Sequence, residues 1–430
     1  MKVTIYRGTH EIGGSCIELT TNSTRIILDA GLPLVDANRE PFDQRSIQGK
    51  TVEALKEEGT LPNVPGLFGE GPPPDAILLT HSHLDHSGLL HLSRPEVPIY
   101  ASRGTSKMML AVAIFGSQKQ LDRDRHRPVV ARQAFEIGDV RITPFVVDHS
   151  AFGAMAFLIE SGSKSLLYSG DLRSHGRKPG MIKTLINEVG PRKIDVLLME
   201  GTHFGTDGPR GITEFELEEE IVEHVKSAPS IVLAAFSPVD LDRLVTYYRA
   251  AQRTGRTFVV DAYTAFILHL TASEARVPQP TKEAGIRVYL NQAFERRGLE
   301  NLRQKFIANR ITLQEILEKP ERHLMTFRPS MTQLDFEGRL PLRSRCLYSY
   351  WKGYLTKPEW VQLQEQLAAV DGTFVPAHTS GHIYVPDIIE FVRAISPRTV
   401  IPIHTFEPQQ FRDHFSNVRC LSDGEEFLID

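Results

Sequence analysis

Short apolar runs that stop at a chemically active residue recur along this chain. Ala76-Ile77-Leu78-Leu79-Thr80 runs into His81, and the stretch 142–147 runs into Asp148-His149. Leu166-Leu167-Tyr168-Ser169-Gly170 runs into Asp171, and Val196-Leu197-Leu198-Met199 into Glu200. Thr399-Val400-Ile401-Pro402-Ile403 runs into His404. Continuous apolar runs of this length, bounded by turn residues, predict buried strands. Strands that all end in His, Asp or Glu predict one rim on which those side chains converge. Further strands are predicted over 3–6, 15–20 and 25–29, the last two joined as a hairpin by the polar Thr21-Asn22-Ser23-Thr24. The glycine- and proline-rich stretch 59–74 reads as a loop.

The middle of the chain has a different rhythm. An acidic helix is predicted over 212–227, capped by Thr213 with Glu216 three residues on. A buried strand at 230–236, a helix at 241–252 ending near Gly255 and a strand at 258–261 follow, which is a βαβ unit with parallel pairing. Another helix is predicted over 359–369, after which the rim pattern returns. No internal repeat or low-complexity tract interrupts this order.

Composition narrows the class. The chain has 430 residues, 41% hydrophobic and 24% charged, with a formal net charge of −4. That suits one large or two ordinary globular domains. The balance is not that of a basic nucleic-acid binder, so a polyanion would have to be met by a local basic groove or by bound metal. Cys16, Cys346 and Cys420 are far apart and form no CxxC pair, which argues against a disulfide framework or a cysteine zinc site. No signal peptide or membrane span is read, and a cytoplasmic protein with no membrane partner is expected.

The sharpest feature is His81-Ser82-His83-Leu84-Asp85-His86, with three histidines and one aspartate in six residues after a buried strand. Packing gives no reason for such a cluster, because desolvating it without partners is costly. Imidazole nitrogens and carboxylate oxygens are zinc ligands. Six residues in one turn cannot close two sites, so His149, Asp171 and His404 are expected to arrive from distant strands. Asp171 has two oxygens and could bridge a metal pair roughly 3.5–4 Å apart that activates one hydroxide. Taken singly, His149 or His404 would read as an ordinary hydrogen-bonded histidine.

With Ile26-Ile27-Leu28-Asp29-Ala30-Gly31, His149 and Ser169-Gly170-Asp171, this cluster resembles the motif series of the metallo-β-lactamase fold, an αββα sandwich with metals at one edge. The resemblance implies two zinc ions, with manganese also tolerated by such mixed ligands. By it, His81, His83 and His149 hold one ion and Asp85, His86 and His404 the other, with Asp171 shared. Asp29 would support the ligand loop. Glu200 in Met199-Glu200-Gly201-Thr202, His382 in Thr379-Ser380-Gly381-His382 and His404 in Ile401-Pro402-Ile403-His404 resemble motifs A, B and C of the β-CASP nucleases. That group inserts a βαβ-rich cap between motifs A and B, which implies a metallo-β-lactamase domain at 1–204, a cap at 205–375 and a completing segment at 376–430.

Glu11-Ile12-Gly13 and His378-Thr379-Ser380-Gly381-His382 are similar to the ribonuclease J group, although Thr405-Phe406 departs from the Gly-Glu usual there. A histidine at motif C is typical of the RNA-processing branch, so the implied substrate is RNA, expected to be single-stranded, with a homo-oligomer left open.

The implied reaction is metal-dependent phosphodiester hydrolysis. Asp85 is expected to orient the attacking hydroxide, and His382, held by Glu200, to protonate the leaving oxygen. His378 and Ser380, and in the cap Ser237 and Arg243, are candidate phosphate contacts. For Arg243 the alternative is a solvated helix face, and for 122–127 a solvated charged loop. Two other classes stay open: a small-molecule thioester or ester hydrolase on the same core or a DNA-directed β-CASP nuclease, and a silent RNA-binding scaffold. The long insertion weighs against the small-molecule hydrolase, and the full ligand series against the scaffold.

Overall fold

In the computed structural model, which describes residues 1–36, 40–116, 118–206 and 210–430, the chain forms two compact units. The first is Met1–Ser174, Lys178–Arg210 and Gly381–Asp430, and the second is His175–Arg177 and Gly211–Ser380. The divisions fall a few residues later than the breaks read from the sequence.

The first unit is built on two sheets. One runs, in spatial order, Glu426–Leu428, Lys2–Arg7, Cys16–Thr20, Arg25–Leu28, Ala76–Leu78, Ile99–Ser102 and His126–Val129. Its first four strands pair antiparallel and the remaining pairs are parallel. The other runs Thr399–Ile403, Val196–Glu200, Lys164–Tyr168, Met155–Ser161, Val140–Val146 and Phe135–Ile137.

Alternation along the strands makes the layers. Ile26, Leu28, Ala76 and Leu78 share one core with Leu166, Tyr168, Val196, Leu198, Ile401 and Ile403. Their sequence neighbours face away. Ile27 and Ile77 pack with Leu55 of helix Val52–Glu57 and Met109 of helix Arg103–Phe115. Leu167, Leu197 and Val400 pack with Leu185 of helix Pro179–Val189 and Phe391 of helix Val385–Ile395. The result is an αββα sandwich whose strands are apolar on both faces. Each large side chain so buried contributes roughly 1.5–3 kcal/mol, and a one-residue slip would turn both sets over.

The predicted hairpin forms between Cys16–Thr20 and Arg25–Leu28. Its polar turn is held by Asp139, which accepts from the hydroxyls of Thr21, Ser23 and Thr24. The stretch 122–127 is not simply a solvated loop. Arg125 is buried and donates to the carbonyls of Val97 and Leu90 and to Ser93 Oγ. His126 opens a strand there.

The second unit has one parallel sheet in the order Ile286–Tyr289, Thr257–Asp261, His323–Thr326, Val232–Ala235, Arg345–Tyr348 and Thr373–Pro376. Helix Glu214–Lys226 begins at Thr213 with the expected capping box to Glu216. Helix Leu241–Thr254 ends on Gly255 at φ 68, a left-handed position that favours glycine. The predicted βαβ needs correction: Val232–Ala235 and Thr257–Asp261 are parallel but do not pair, because His323–Thr326 lies between them. That strand is only four residues long and opens on a histidine, so its periodicity gives little signal. Among the described residues, no helix is long and apolar enough to cross a membrane.

Arg243 is not on a solvated face. It is 1% exposed, and its guanidinium donates to both carboxylate oxygens of Glu214 at 2.9 and 3.2 Å. Arg243→Ala removes the positive partner of a buried carboxylate that would keep only neutral partners such as Thr246 Oγ1, so unfolding free energy from urea titration should fall by about 3–5 kcal/mol. The double variant Arg243→Met/Glu214→Leu should recover much of that loss. A single variant as stable as the parent would mean the pair is not desolvated.

Candidate metal centre

The rim predicted from the strand ends lies wholly within the first unit. Its foundation is Asp29, buried at the end of Arg25–Leu28 with φ 58. Asp29 Oδ1 accepts from Thr80 N at 2.7 Å. Oδ2 accepts from Thr80 Oγ1 at 2.8 Å, from Tyr168 Oη at 2.7 Å and from His86 Nδ1 at 2.7 Å. The backbone after Asp29 then grips the histidine cluster. Ala30 N donates to His86 O, Leu32 N to Leu84 O and Ser15 N to Asp85 O. Gly31 has no room for a side chain, since a Cβ there would sit 1.7 Å from Asp85 O.

Two groups of donors follow from this frame. His81, His83 and His149 form one, and Asp85, His86, Asp171 and His404 the other, with the ligand atoms of each group within 4.8 Å of one another. His83 Nδ1 and His149 Nε2 are 3.1 Å apart. Asp171 Oδ2 lies between the groups. It is 3.1 Å from His86 Nε2, 3.7 Å from His81 Nε2, 3.8 Å from His404 Nε2 and 3.9 Å from His149 Nε2. His404 Nε2 is also 3.2 Å from Asp85 Oδ2.

Tautomers are set from behind. His149 Nδ1 faces Gly381 O at 2.6 Å, His86 Nδ1 faces Asp29, and His404 Nδ1 faces Thr202 Oγ1 at 2.9 Å. With the proton on Nδ1, each ring turns Nε2 and its lone pair toward the centre. A buried ion pair ties two of the strand ends together, since Arg173 Nε donates to Asp148 Oδ1 at 3.1 Å.

The buried atoms left over have the chemistry of a cation site. His81 Nε2, His86 Nε2 and both oxygens of Asp171 have no hydrogen-bond partner, the close His86–Asp171 approach being misaligned for one. Such orphans are costly unless something satisfies them. Burial and the rings of His86 and His83 hold His81 well below the usual imidazole range. Burial with His81 and His83 does the same to His149, so both rings are neutral, as a ligand must be. Burial alone would raise Asp85 and Asp171. The neighbouring His404 and His86 rings outweigh it and hold both carboxyls below the usual carboxylate range. His86 goes the other way: against burial, Asp171 and Asp29 hold its ring well above the usual range. Two carboxylates that would hold a proton there would equally hold a cation. The donor set therefore fits bound metal.

Glu200 and His382 adjoin this centre but differ from it in their hydrogen bonding. Glu200 Oε1 accepts from Leu172 N at 2.9 Å, and Oε2 accepts from Thr202 Oγ1 at 2.8 Å. His382 Nδ1 lies 3.1 Å from Glu200 Oε2 and 3.7 Å from Asp171 Oδ2. Burial disfavours charge on His382, yet Glu200 and Asp171 outweigh it and push the ring up to about 9. Asp171, Glu200, His382 and His404 also lie close enough together to hold a cation. Their hydrogen bonding differs: both Glu200 oxygens have protein partners, and among the described residues neither Asp171 oxygen has one.

Thr202, Thr80 and Tyr168 were not singled out from the sequence. Thr202 stands in the quoted Met199-Glu200-Gly201-Thr202 stretch, but a lone threonine two residues past a strand-end glutamate carries no signal of its own. In the fold its hydroxyl lies between Glu200, His382 and His404.

The remaining candidates lie in the second unit. Arg243 donates to Thr379 O at 3.1 Å and lies 3.3 Å from His378 Nδ1, so it braces that loop in addition to pairing with Glu214. His378 is exposed. Ser380 is half-buried, its carbonyl 2.8 Å from His175 Nε2, and Ser237 is also half-buried.

Residues 24–245 match the model of the beta-lactamase superfamily domain. A transcription termination factor from Methanothermobacter thermautotrophicus is 24% identical over 293 residues, 62% of this chain and 42% of that protein. An RNase J-like protein from Methanocaldococcus jannaschii is 23% identical over 282 residues, 62% of this chain and 58% of its own length. A ribonuclease J from Mycobacterium tuberculosis is 25% identical over 272 residues, 60% and 43% of the two chains. The chain thus spans about half the length of the curated relatives it matches. The crystal structure of an Enterococcus faecalis protein of unknown function shares the fold, with a TM-score of 0.78 at 21% identity over 99% of both chains.

Thr202→Val keeps the shape and removes the acceptor for His404 Nδ1. Metal affinity at the His404 group should fall about 10–100-fold, as metal analysis after dialysis against graded chelator would read, and Thr202→Ser should restore it. Unchanged retention in the valine variant would mean that His404 keeps its tautomer without the hydroxyl.

Proposed function

The chain belongs to the beta-lactamase superfamily domain family, and from that premise we propose that it is a metal-dependent phosphodiester hydrolase acting on single-stranded RNA. The carrying observation is the contrast at the rim. The shared carboxylate of Asp171 is unsatisfied among imidazoles, beside a Glu200–His382 pair whose carboxylate is satisfied.

His81, His83 and His149 would hold one divalent cation, and Asp85, His86 and His404 a second, with Asp171 common to both. The imidazole-rich set suits zinc, and its carboxylates also admit manganese. When bound, such ions supply Lewis acidity toward water and toward phosphate oxygens. The protein's own groups do the rest. Asp85, with Oδ2 3.2 Å from His404 Nε2, orients the attacking water. Glu200 accepts from His382 Nδ1 and so favours the protonated ring. That leaves Nε2 to deliver a proton to the departing oxygen. His378 and Ser380, with Ser237, are retained as contacts for the substrate backbone. Arg243 would act by bracing the 378–379 loop.

RNA is favoured over DNA by the histidine at position 404 and by relatives named ribonuclease J and RNase J-like protein. The three free cysteines fit a cytoplasmic setting.

His83→Ala or Asp171→Ala should abolish cleavage of labelled single-stranded RNA while the circular dichroism spectrum is retained. Survival of activity would refute the two-ion reading. His382→Ala should lower turnover about 10²–10⁴-fold with metal content unchanged; loss of an ion would instead make His382 a ligand. Single-stranded RNA and DNA, 5′-phosphorylated or blocked, with zinc or manganese, test the substrate. Cleavage of neither would end the nuclease assignment.

A further inference from the structure

The segment after strand Arg345–Tyr348 presents aromatic rings to solvent. Trp351 is 60% exposed and Tyr354 39% exposed, in a chain where aromatic side chains are otherwise largely interior. Their ring centroids are 5.5 Å apart at 88°. Lys357 Nζ lies 4.2 Å from the centroid of the Tyr354 ring.

These rings are presented by a braced segment. The 3₁₀ turn Lys352–Thr356 is anchored by Leu355, which packs against the core of the second unit together with Tyr350. Tyr348 Oη donates to Trp351 O at 2.9 Å, and Tyr350 Oη donates to Phe236 O at 2.7 Å. The indole lies across Gly353, where a Cβ would come within 2.0 Å of a ring atom. The ring therefore lies against the backbone of its own turn.

Two lysines flank the rings in sequence, Lys352 and Lys357, with Glu359 following, and Lys357 is the one whose ammonium lies over the Tyr354 ring. An exposed indole, an edge-on phenol and the ammonium of Lys357 match a partner with flat π faces and a phosphate backbone.

We propose that Trp351, Tyr354 and Lys357 form a base-stacking platform for single-stranded nucleic acid on the second unit. The platform extends the ribonuclease reading above and assigns a substrate contact to residues outside the metal centre.

The sequence holds two tryptophans, and Trp360 is buried, so Trp351 is the solvent-facing reporter. Titration with a 2′-O-methyl oligoadenylate 10-mer, which resists hydrolysis, should quench the intrinsic emission saturably. Affinity should fall as salt rises. Trp351→Leu keeps apolar bulk but loses the π face, and should weaken binding, read by anisotropy of the labelled 10-mer, about tenfold. Trp351→Phe should stay within a few-fold of the parent, and Lys357→Ala should flatten the salt dependence. A leucine variant that binds like the parent overturns the platform. So does a loss of self-association in the variant, seen by sedimentation, with oligonucleotide affinity unchanged, because the surface would then join two copies of the chain. Wild-type hydrolysis of bis(p-nitrophenyl) phosphate reads the metal centre separately: its absence counts against the hydrolase and leaves the binding result standing.

Discussion

The buried carboxylate of Asp29 is the interaction on which the rim depends. An isolated carboxylate in such surroundings would be prohibitive, but this one accepts from Thr80 N, Thr80 Oγ1, Tyr168 Oη and His86 Nδ1. Its donors come from both sheets. Thr80 and His86 follow a strand of the first, and Tyr168 ends a strand of the second. One side chain thereby aligns the edges of the two layers and selects the tautomer of a ligand. The left-handed backbone at Asp29 turns the chain so that the next residues can bond to the histidine cluster.

Around that anchor the polar atoms divide into two kinds. Those of Glu200, Thr202 and His382 are closed on one another, and such a network is rigid because the low local dielectric strengthens each bond. Those of Asp171, His81 and His86 are open toward a common point. Burying unsatisfied groups is destabilising on its own, so the open set is one that could hold a cation. Thr202 joins the two sets, because its hydroxyl meets both the Glu200–His382 pair and the ring of His404.

The second unit shows how a charged residue can mislead when read one position at a time. Arg243, at the start of a helix after a strand, looked like either a phosphate contact or a solvated group. In the fold it is enclosed by Glu214 and the 378–379 loop. The exposed Trp351 and Tyr354 left no trace in periodicity, because the short 3₁₀ turn that carries them is too brief to show one.

Much of the rim was legible because strand burial and chemistry share one signal: a continuous apolar run must end somewhere, and here it ends in His, Asp or Glu. The sequence by itself determined the strands that end in the rim residues, the HSHLDH cluster, the capping box at Thr213 and the family motifs from which the ligand series was inferred. It did not determine that His323–Thr326 separates two strands of the predicted βαβ, because pairing order depends on which edges meet after collapse. Nor did it determine the tautomers of His149 and His404, the satisfaction of Glu200 or the role of Thr202. Those rest on hydrogen bonds between residues up to 232 positions apart, and such distances exist only once the sheets have packed.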